Sequence, residues 1–266
     1  SLLLVLAVPV SARSANRLVR TIRNVCLLLG GFLVAAAATP LARWLELALL
    51  LLSLFWLTTE VLRHRLPSRM VVGPRIAMAT AWLCAMLVEL PYHRMPTVPR
   101  LGNPVLGVIG DSISAGMGQK NVTTWPVLLS ESHGITVRDH SRMGATVRSA
   151  LGQAGELSVA ESLVLVEIGG NDFFGETRPR DFESGLSRLL STVCRPGRVV
   201  VMLELPLPPG FQEYGRIQRR LAAQFRVILI PRRVLLGVLV RYGATVDSVH
   251  LSQQGHRGMA ETVWGF

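Results

Sequence analysis

Three short runs in the second half of this chain hold residue types that can do chemistry together. Gly110-Asp111-Ser112-Ile113-Ser114 follows an apolar β-type run, which places a hydroxyl at the carboxyl end of a strand and at the opening of a helix. A serine there can attack a carbonyl while backbone N–H groups and the helix dipole stabilise the developing anion; Asp111 or Ser112 can equally serve as a helix cap. Gly169-Gly170-Asn171-Asp172 closes a second apolar run, and its asparagine can donate an amide hydrogen to an oxyanion, although the same residue types make ordinary turns. Asp247-Ser248-Val249-His250 sets a carboxylate three residues before an imidazole. One local turn joins such a pair, and the carboxylate then fixes the ring's tautomer and stabilises the cation formed when the ring takes a serine proton. The same spacing also describes a surface pair, and His256, six residues on, is a competing base.

Several other chemistries find no support. There is no H-E-x-x-H pair, and His64 and His93 flank apolar segments, so a zinc hydrolase is disfavoured. Cys26 and Cys84 lie inside apolar runs and Cys194 stands alone, which leaves no disulfide framework or cysteine metal site in the second half. Ser114 occupies the position of the second glycine in a G-x-S-x-G elbow, and Gly107-Val108-Ile109-Gly110 lacks the three-glycine dinucleotide spacing. The row Arg216, Arg219, Arg220, Arg226, Arg232 and Arg233 suits either anionic headgroups and acidic glycans or a solvated helix face. Phe173 and Phe174 can line an acyl pocket or pack beneath their loop.

Five β-rich runs position these residues: Val105–Ile109, Ile135–Arg138, Leu163–Ile168, Val199–Leu203 and Val227–Ile230. Arg180–Val193 and Phe211–Phe225 between them have helical periodicity. Strands alternating with helices predict a five-stranded parallel sheet covered on both faces, a three-layer α/β/α domain over residues 101–266. Ligands in such sheets bind beyond the strand carboxyl ends, where the serine and asparagine runs fall.

Residues 1–100 have another character. Mean hydropathy is +0.40 over the whole chain, and the apolar stretches Leu2–Val10, Val25–Ala42, Trp44–Leu62 and Ile76–Tyr92 precede residue 100. The first is too short to span a bilayer and reads as a truncated span or a signal-type segment; the other three are read as transmembrane helices, with Glu46 and Glu89 near their ends. Eleven arginines against Glu46, Glu60 and Glu89 put +8 of the +11 net charge here, between apolar runs. That distribution signals topology, and it lacks the basic face of a nucleic-acid binder. Arg13, Arg17, Arg20 and Arg23 precede the first span, Arg43 follows it, and Arg63, Arg65, Arg69 and Arg75 precede the third. The alternation places the two rich loops in the cytoplasm and everything after Tyr92 on the non-cytoplasmic side. Pro91, Pro96 and Pro99 suit a stiff linker.

Taken together, the runs at Ser112, Asn171 and Asp247–His250 resemble the SGNH (GDSL-type) hydrolases over Val105 to Trp264, and Thr124-Trp125-Pro126 and Leu251–His256 look like that family's helix starts. The resemblance implies a flavodoxin-like fold and an esterase with Ser112 as nucleophile, Asp247 and His250 completing the triad, and an oxyanion hole from Ser112, Gly144 and Asn171. Gly144, within Ser141–Ala145, is the least specific match. Such chemistry needs no metal or organic cofactor, and its substrate is an ester, whether a small acyl ester, a lipid or an acylated glycan. The rival readings are a glycan O-acyltransferase, with a sugar hydroxyl in place of water, and a non-catalytic membrane-tethered module that binds acylated glycans or lipids.

Overall fold

The computed structural model describes residues 43–118 and 121–266, with isolated positions between 18 and 38. The chain divides into two compact units, Ser1–Pro91 and Tyr92–Phe266. In the first unit, α1 (Arg43–Val61) and α2 (Ser68–Glu89) are joined by a short turn. The 18 residues Trp44–Val61 and the 26 residues Ser68–His93 are long and apolar enough to cross a membrane, with mean hydropathies of 1.6 and 1.7. Leu2–Val10 and the predicted span Val25–Ala42 lie outside the described residues apart from isolated positions.

The helix expected to begin at Ile76 begins at Ser68, so Arg69 and Arg75, expected in a loop, lie in its first turns. The reason is an ion pair: Arg75 donates through Nε and Nη2 to the two carboxylate oxygens of Glu60 at 2.9 and 2.8 Å. Glu60 is only 5% exposed, and a bidentate guanidinium offsets the cost of burying it. Trp56, Met78 and Trp82 pack between the two helices, with Trp82 Nε1 donating to Ser53 Oγ at 3.1 Å.

In the second unit, β1 (Val105–Gly110) is followed by α3 (Ser112–Ala115), α4 (Trp125–His133) and β2 (Thr136–Asp139). Then come α5 (Ala150–Glu156), β3 (Leu163–Glu167), α6 (Gly170–Phe174), α7 (Pro179–Val193) and β4 (Val199–Leu203). The chain finishes with α8 (Gln212–Phe225), β5 (Ile228–Ile230), α9 (Arg232–Leu239) and α10 (Gln253–Trp264). All five strands pair in parallel in the order β2-β1-β3-β4-β5. Each face is sealed by its own apolar layer. Phe182, Leu186, Leu189, Leu190 and Val193, one stripe of α7, lie in the layer on one face, and Trp125, Leu129, Met259 and Val263 from α4 and α10 lie in that on the other.

Strand order decides where a site can form. The chain leaves β1 toward β2 on one side and returns to β3 on the other, so the loops after β1 and β3 part and open a crevice at the carboxyl edge. Gly110 and Glu167, the last residues of β1 and β3, are register partners, which brings the Asp111-Ser112 and Asn171 runs together across that crevice.

Candidate active site

Ser112 is the first residue of α3 and is 5% exposed. Asp111 caps the helix, its Oδ1 accepting from the Ile113 N–H at 3.0 Å. The cap is therefore the aspartate, which leaves the serine hydroxyl for other work. With only four residues, α3 has little macrodipole, so the expected dipole assistance reduces to individual N–H groups. No hydrogen bond among the described residues joins Ser112 Oγ to His250, or occupies the N–H of Ser112 or of Gly144.

Gly144 lies on the exposed loop after β2 with φ +73°, a backbone conformation that favours glycine. Asn171, in the first turn of α6, donates through Nδ2 to the Ala145 carbonyl at 3.0 Å and to Asp111 Oδ2 at 3.3 Å. Asp172 Oδ2 accepts from the Val147 N–H at 2.9 Å. These bonds tie the loops after β1, β2 and β3 into one assembly.

The loop before α10 holds the acid and the imidazole. Asp247 Oδ2 meets His250 Nδ1 at 2.7 Å, and Asp247 Oδ1 accepts from the backbone N–H groups of His250 at 2.8 Å and Val249 at 3.1 Å. These hydrogen bonds, that from the His250 backbone foremost, pull the Asp247 carboxyl down to about 2. Two backbone bonds, Val246 N–H to His250 O and Ser252 N–H to Ala244 O, close the hairpin beneath them. Ser248 at its tip has φ +77°, a conformation that costs a non-glycine residue about 1 kcal/mol or more. The competing base is occupied elsewhere: His256 is 1% exposed, and its Nδ1 accepts from the Trp125 N–H at 3.2 Å. Burial pushes its pKa down to about 4, so it is a neutral pin between α4 and α10.

Of two buried residues beside the serine, Glu167 is not singled out from sequence, and Trp125 reads there only as part of a helix start. Glu167 at the end of β3 is fully buried, and its Oε2 accepts from Ser114 Oγ at 2.9 Å and the Asp111 N–H at 3.4 Å. Trp125 Nε1 donates to the same Ser114 Oγ at 3.2 Å. A carboxylate ending an otherwise apolar strand was the available signal. Burial raises Asp111 to about 6 and Glu167 well above its usual value.

Other sequence features settle into packing. Arg216 pairs with Glu213, Arg219 with buried Glu204 and Arg220 with Glu183, so half of the arginine row answers acids of this chain. Phe173 is buried in the core, whereas Phe174 is 66% exposed. A cavity of about 550 Å³ opens elsewhere, lined by Val98, Leu101, Leu106, Trp264 and Phe266 among others. None of the candidate site residues borders it, and the polar groups that can do chemistry converge at the strand carboxyl ends instead.

Comparison with known proteins bears on what this arrangement does. Residues 108–257 match the model of the GDSL-like Lipase/Acylhydrolase family. An arylesterase of Vibrio mimicus is 32% identical over 136 residues, covering 47% of this chain and 68% of its own. The esterase TesA of Pseudomonas aeruginosa is 29% identical over 170 residues, covering 59% and 84%. The crystal structure of TesA superposes with a TM-score of 0.52 at 29% identity over 60% of this chain and 96% of its own. A psychrotrophic esterase from Pseudoalteromonas sp. gives 0.56 over 62% and 96%, at 18% identity, a likeness of fold alone.

Proposed function

The chain belongs to the GDSL-like lipase/acylhydrolase family and is an ester hydrolase, and from that premise we propose that Ser112, His250 and Asp247 are its triad. Ser112, Gly144 and Asn171 supply the oxyanion hole. The observation that carries this reading is the Asp247–His250 contact at 2.7 Å, on a chain whose Ser112 and Asn171 follow the adjacent strands β1 and β3 at the carboxyl edge.

His250 takes the Ser112 proton as the oxygen attacks the ester carbonyl, and Asp247 holds the ring's far nitrogen and stabilises the imidazolium. The oxyanion is received by the N–H groups of Ser112 and Gly144 and by Asn171 Nδ2, whose 3.3 Å bond to Asp111 is the weaker of its two and the one an oxyanion competes for. Collapse expels the alcohol with the proton from His250 and leaves an acyl-serine, which water opens by the same route in reverse. The named activities of the relatives, arylesterase and lysophospholipase among them, support a carboxylic ester as substrate. The apolar helices α1 and α2 support a membrane anchor, and the arginine alternation supports a non-cytoplasmic location for the second unit.

The test is labelling with a fluorophosphonate probe alongside turnover of p-nitrophenyl acetate. The parent chain is expected to label and turn over, and Ser112→Ala to do neither while keeping its circular dichroism spectrum. Unchanged turnover in Ser112→Ala overturns the assignment.

A further inference from the structure

Two carboxylates, Asp111 and Glu167, are buried side by side directly behind Ser112, 2% and 0% exposed. Their hydrogen bonds are distributed unequally. Asp111 uses both oxygens as acceptors: Oδ1 takes the Ile113 N–H at 3.0 Å and Oδ2 takes Asn171 Nδ2 at 3.3 Å. Glu167 uses only one: Oε2 takes Ser114 Oγ and the Asp111 N–H, while Oε1 is buried without a hydrogen-bond partner. A protonated carboxyl turns one oxygen into a donor. On Asp111 that proton breaks one of two links, because both facing groups are N–H donors. On Glu167 Oε1 it breaks none, and it removes the cost of a buried, unpartnered anionic oxygen. The glycines beside the pair keep it close. A Cβ on Gly110 would stand 2.6 Å from Ser114 Oγ and 3.1 Å from Glu167 Oε2, and one on Gly170 would stand 3.1 Å from Asp111 Oδ2.

We propose that Asp111 and Glu167 act as a one-proton pair in which Glu167 holds the proton and Asp111, kept ionised, is the positioning residue that locks the nucleophile's turn to the Asn171 amide. This role rests on the triad reading above. Its consequence is geometric. The Ile113 N–H fixes the backbone that presents Ser112, the Asn171 amide is the side-chain oxyanion donor, and a single carboxylate spans the two. The charged groups facing the pair are His250 and Asp172 on the side of Asp111 and Asp139 on that of Glu167; Ser114 faces it as a neutral donor.

The pair predicts a pH signature that a merely structural role lacks. Asp111→Asn has one acceptor oxygen in place of two, as protonated Asp111 does, so it imitates the parent at low pH. Its kcat is expected about tenfold below the parent at pH 8, the scale of one lost charge-assisted hydrogen bond, with KM changed less than about twofold. The ratio of parent to variant then falls toward one as pH drops below about 6, where the parent's own Asp111 takes up its proton. Because Asp111 acts through Asn171, Asp111→Asn combined with Asn171→Ala should lose little more than Asn171→Ala alone. Glu167→Gln is an uncharged isostere with an acceptor still at the Oε2 position, so it removes no charge that titrates in this range and the ratio of parent to Glu167→Gln should stay constant with pH.

The measurement is kcat and KM for the full chain and these variants on p-nitrophenyl acetate from pH 5 to 8.5, with Ser112→Ala as control and thermal unfolding as the check on folding. A ratio of parent to Asp111→Asn that is constant across pH, or additive losses in the double variant, overturns the pair while leaving the triad intact. A ratio of parent to Glu167→Gln that changes with pH puts the charge on the wrong residue and overturns it independently, even if Asp111→Asn does not fold. Turnover retained in Ser112→Ala removes the reading on which it rests.

Discussion

At the scale of single residues, two histidines six positions apart sit in opposite surroundings. His250 is half-buried beside a hairpin tip with a carboxylate on Nδ1, the arrangement in which an acid orients an imidazole toward a serine. His256 is sealed between α4 and α10 with its Nδ1 accepting a backbone hydrogen, and so cannot charge without losing that bond. His250→Ala is therefore expected to lower kcat by about 10³-fold or more, whereas His256→Gln should leave kcat within about tenfold and act on stability. The sign of its pH effect follows from its pKa of about 4, depressed from 6.5. The unfolded chain binds a proton that the folded chain refuses, so the stability from neutral His256 is complete above pH 6.5 and is lost as pH falls toward 4. Unfolding midpoints at pH 7, 6, 5 and 4 should fall more gently in His256→Gln than in the parent. Parallel curves would show that His256 does not set the acid side.

Among the elements, the start of α10 has the least room. Ser252 caps the helix through the Gly255 N–H at 3.1 Å and donates its own N–H to the Ala244 carbonyl at 2.8 Å, which lays the hairpin carrying Asp247 and His250 across the first turn. A Cβ on Gly255 would stand 1.9 Å from the Ala244 oxygen, a backbone atom, and 3.0 Å from Leu251. Gly255→Ala must therefore push the hairpin away, at a cost of about 2–3 kcal/mol, the range of overpacked sites. Gly258, one turn on in the same helix, meets nothing nearer than Arg241 Nη1 at 3.5 Å. Gly258→Ala should be neutral or stabilising by up to about 1 kcal/mol, from helix propensity. Urea unfolding of the two variants checks the contrast, and equal effects would mean that the hairpin yields freely.

For the whole molecule, the division at Pro91 and Tyr92 separates two kinds of burial. The second unit seals both faces of its sheet with its own residues, whereas α1 and α2 leave large side chains such as Leu51, Phe55, Ile76 and Leu87 more than half exposed. Tyr92–Phe266 expressed alone should fold as a soluble, active hydrolase, checked by p-nitrophenyl acetate turnover and size-exclusion chromatography. A well-folded but inactive product would mean that the first unit completes the site. A reporter fused after Arg100 should report the non-cytoplasmic side, and a cytoplasmic signal would show that the spans are miscounted, with Leu2–Val10 the first suspect.

The sequence by itself determined the fold class, because period-2 and period-3.6 hydrophobicity are local consequences of backbone geometry. Val199–Leu203 matches its predicted strand end for end, and the other strands differ by a residue at one or both ends. It also singled out Asp247 with His250, since three residues of separation suffice for their contact. It missed the early start of α2, because the Arg75–Glu60 pair that lets a cation enter an apolar helix joins residues 15 apart. It likewise missed the Asp111–Glu167 pair and the bond from Trp125 to His256. Those contacts span 56 residues between Asp111 and Glu167 and 131 between Trp125 and His256. Only strand order β2-β1-β3 and the packing of α4 on α10 bring such partners together, and burial, which fixes what each titrating group can hold, exists only once that packing does.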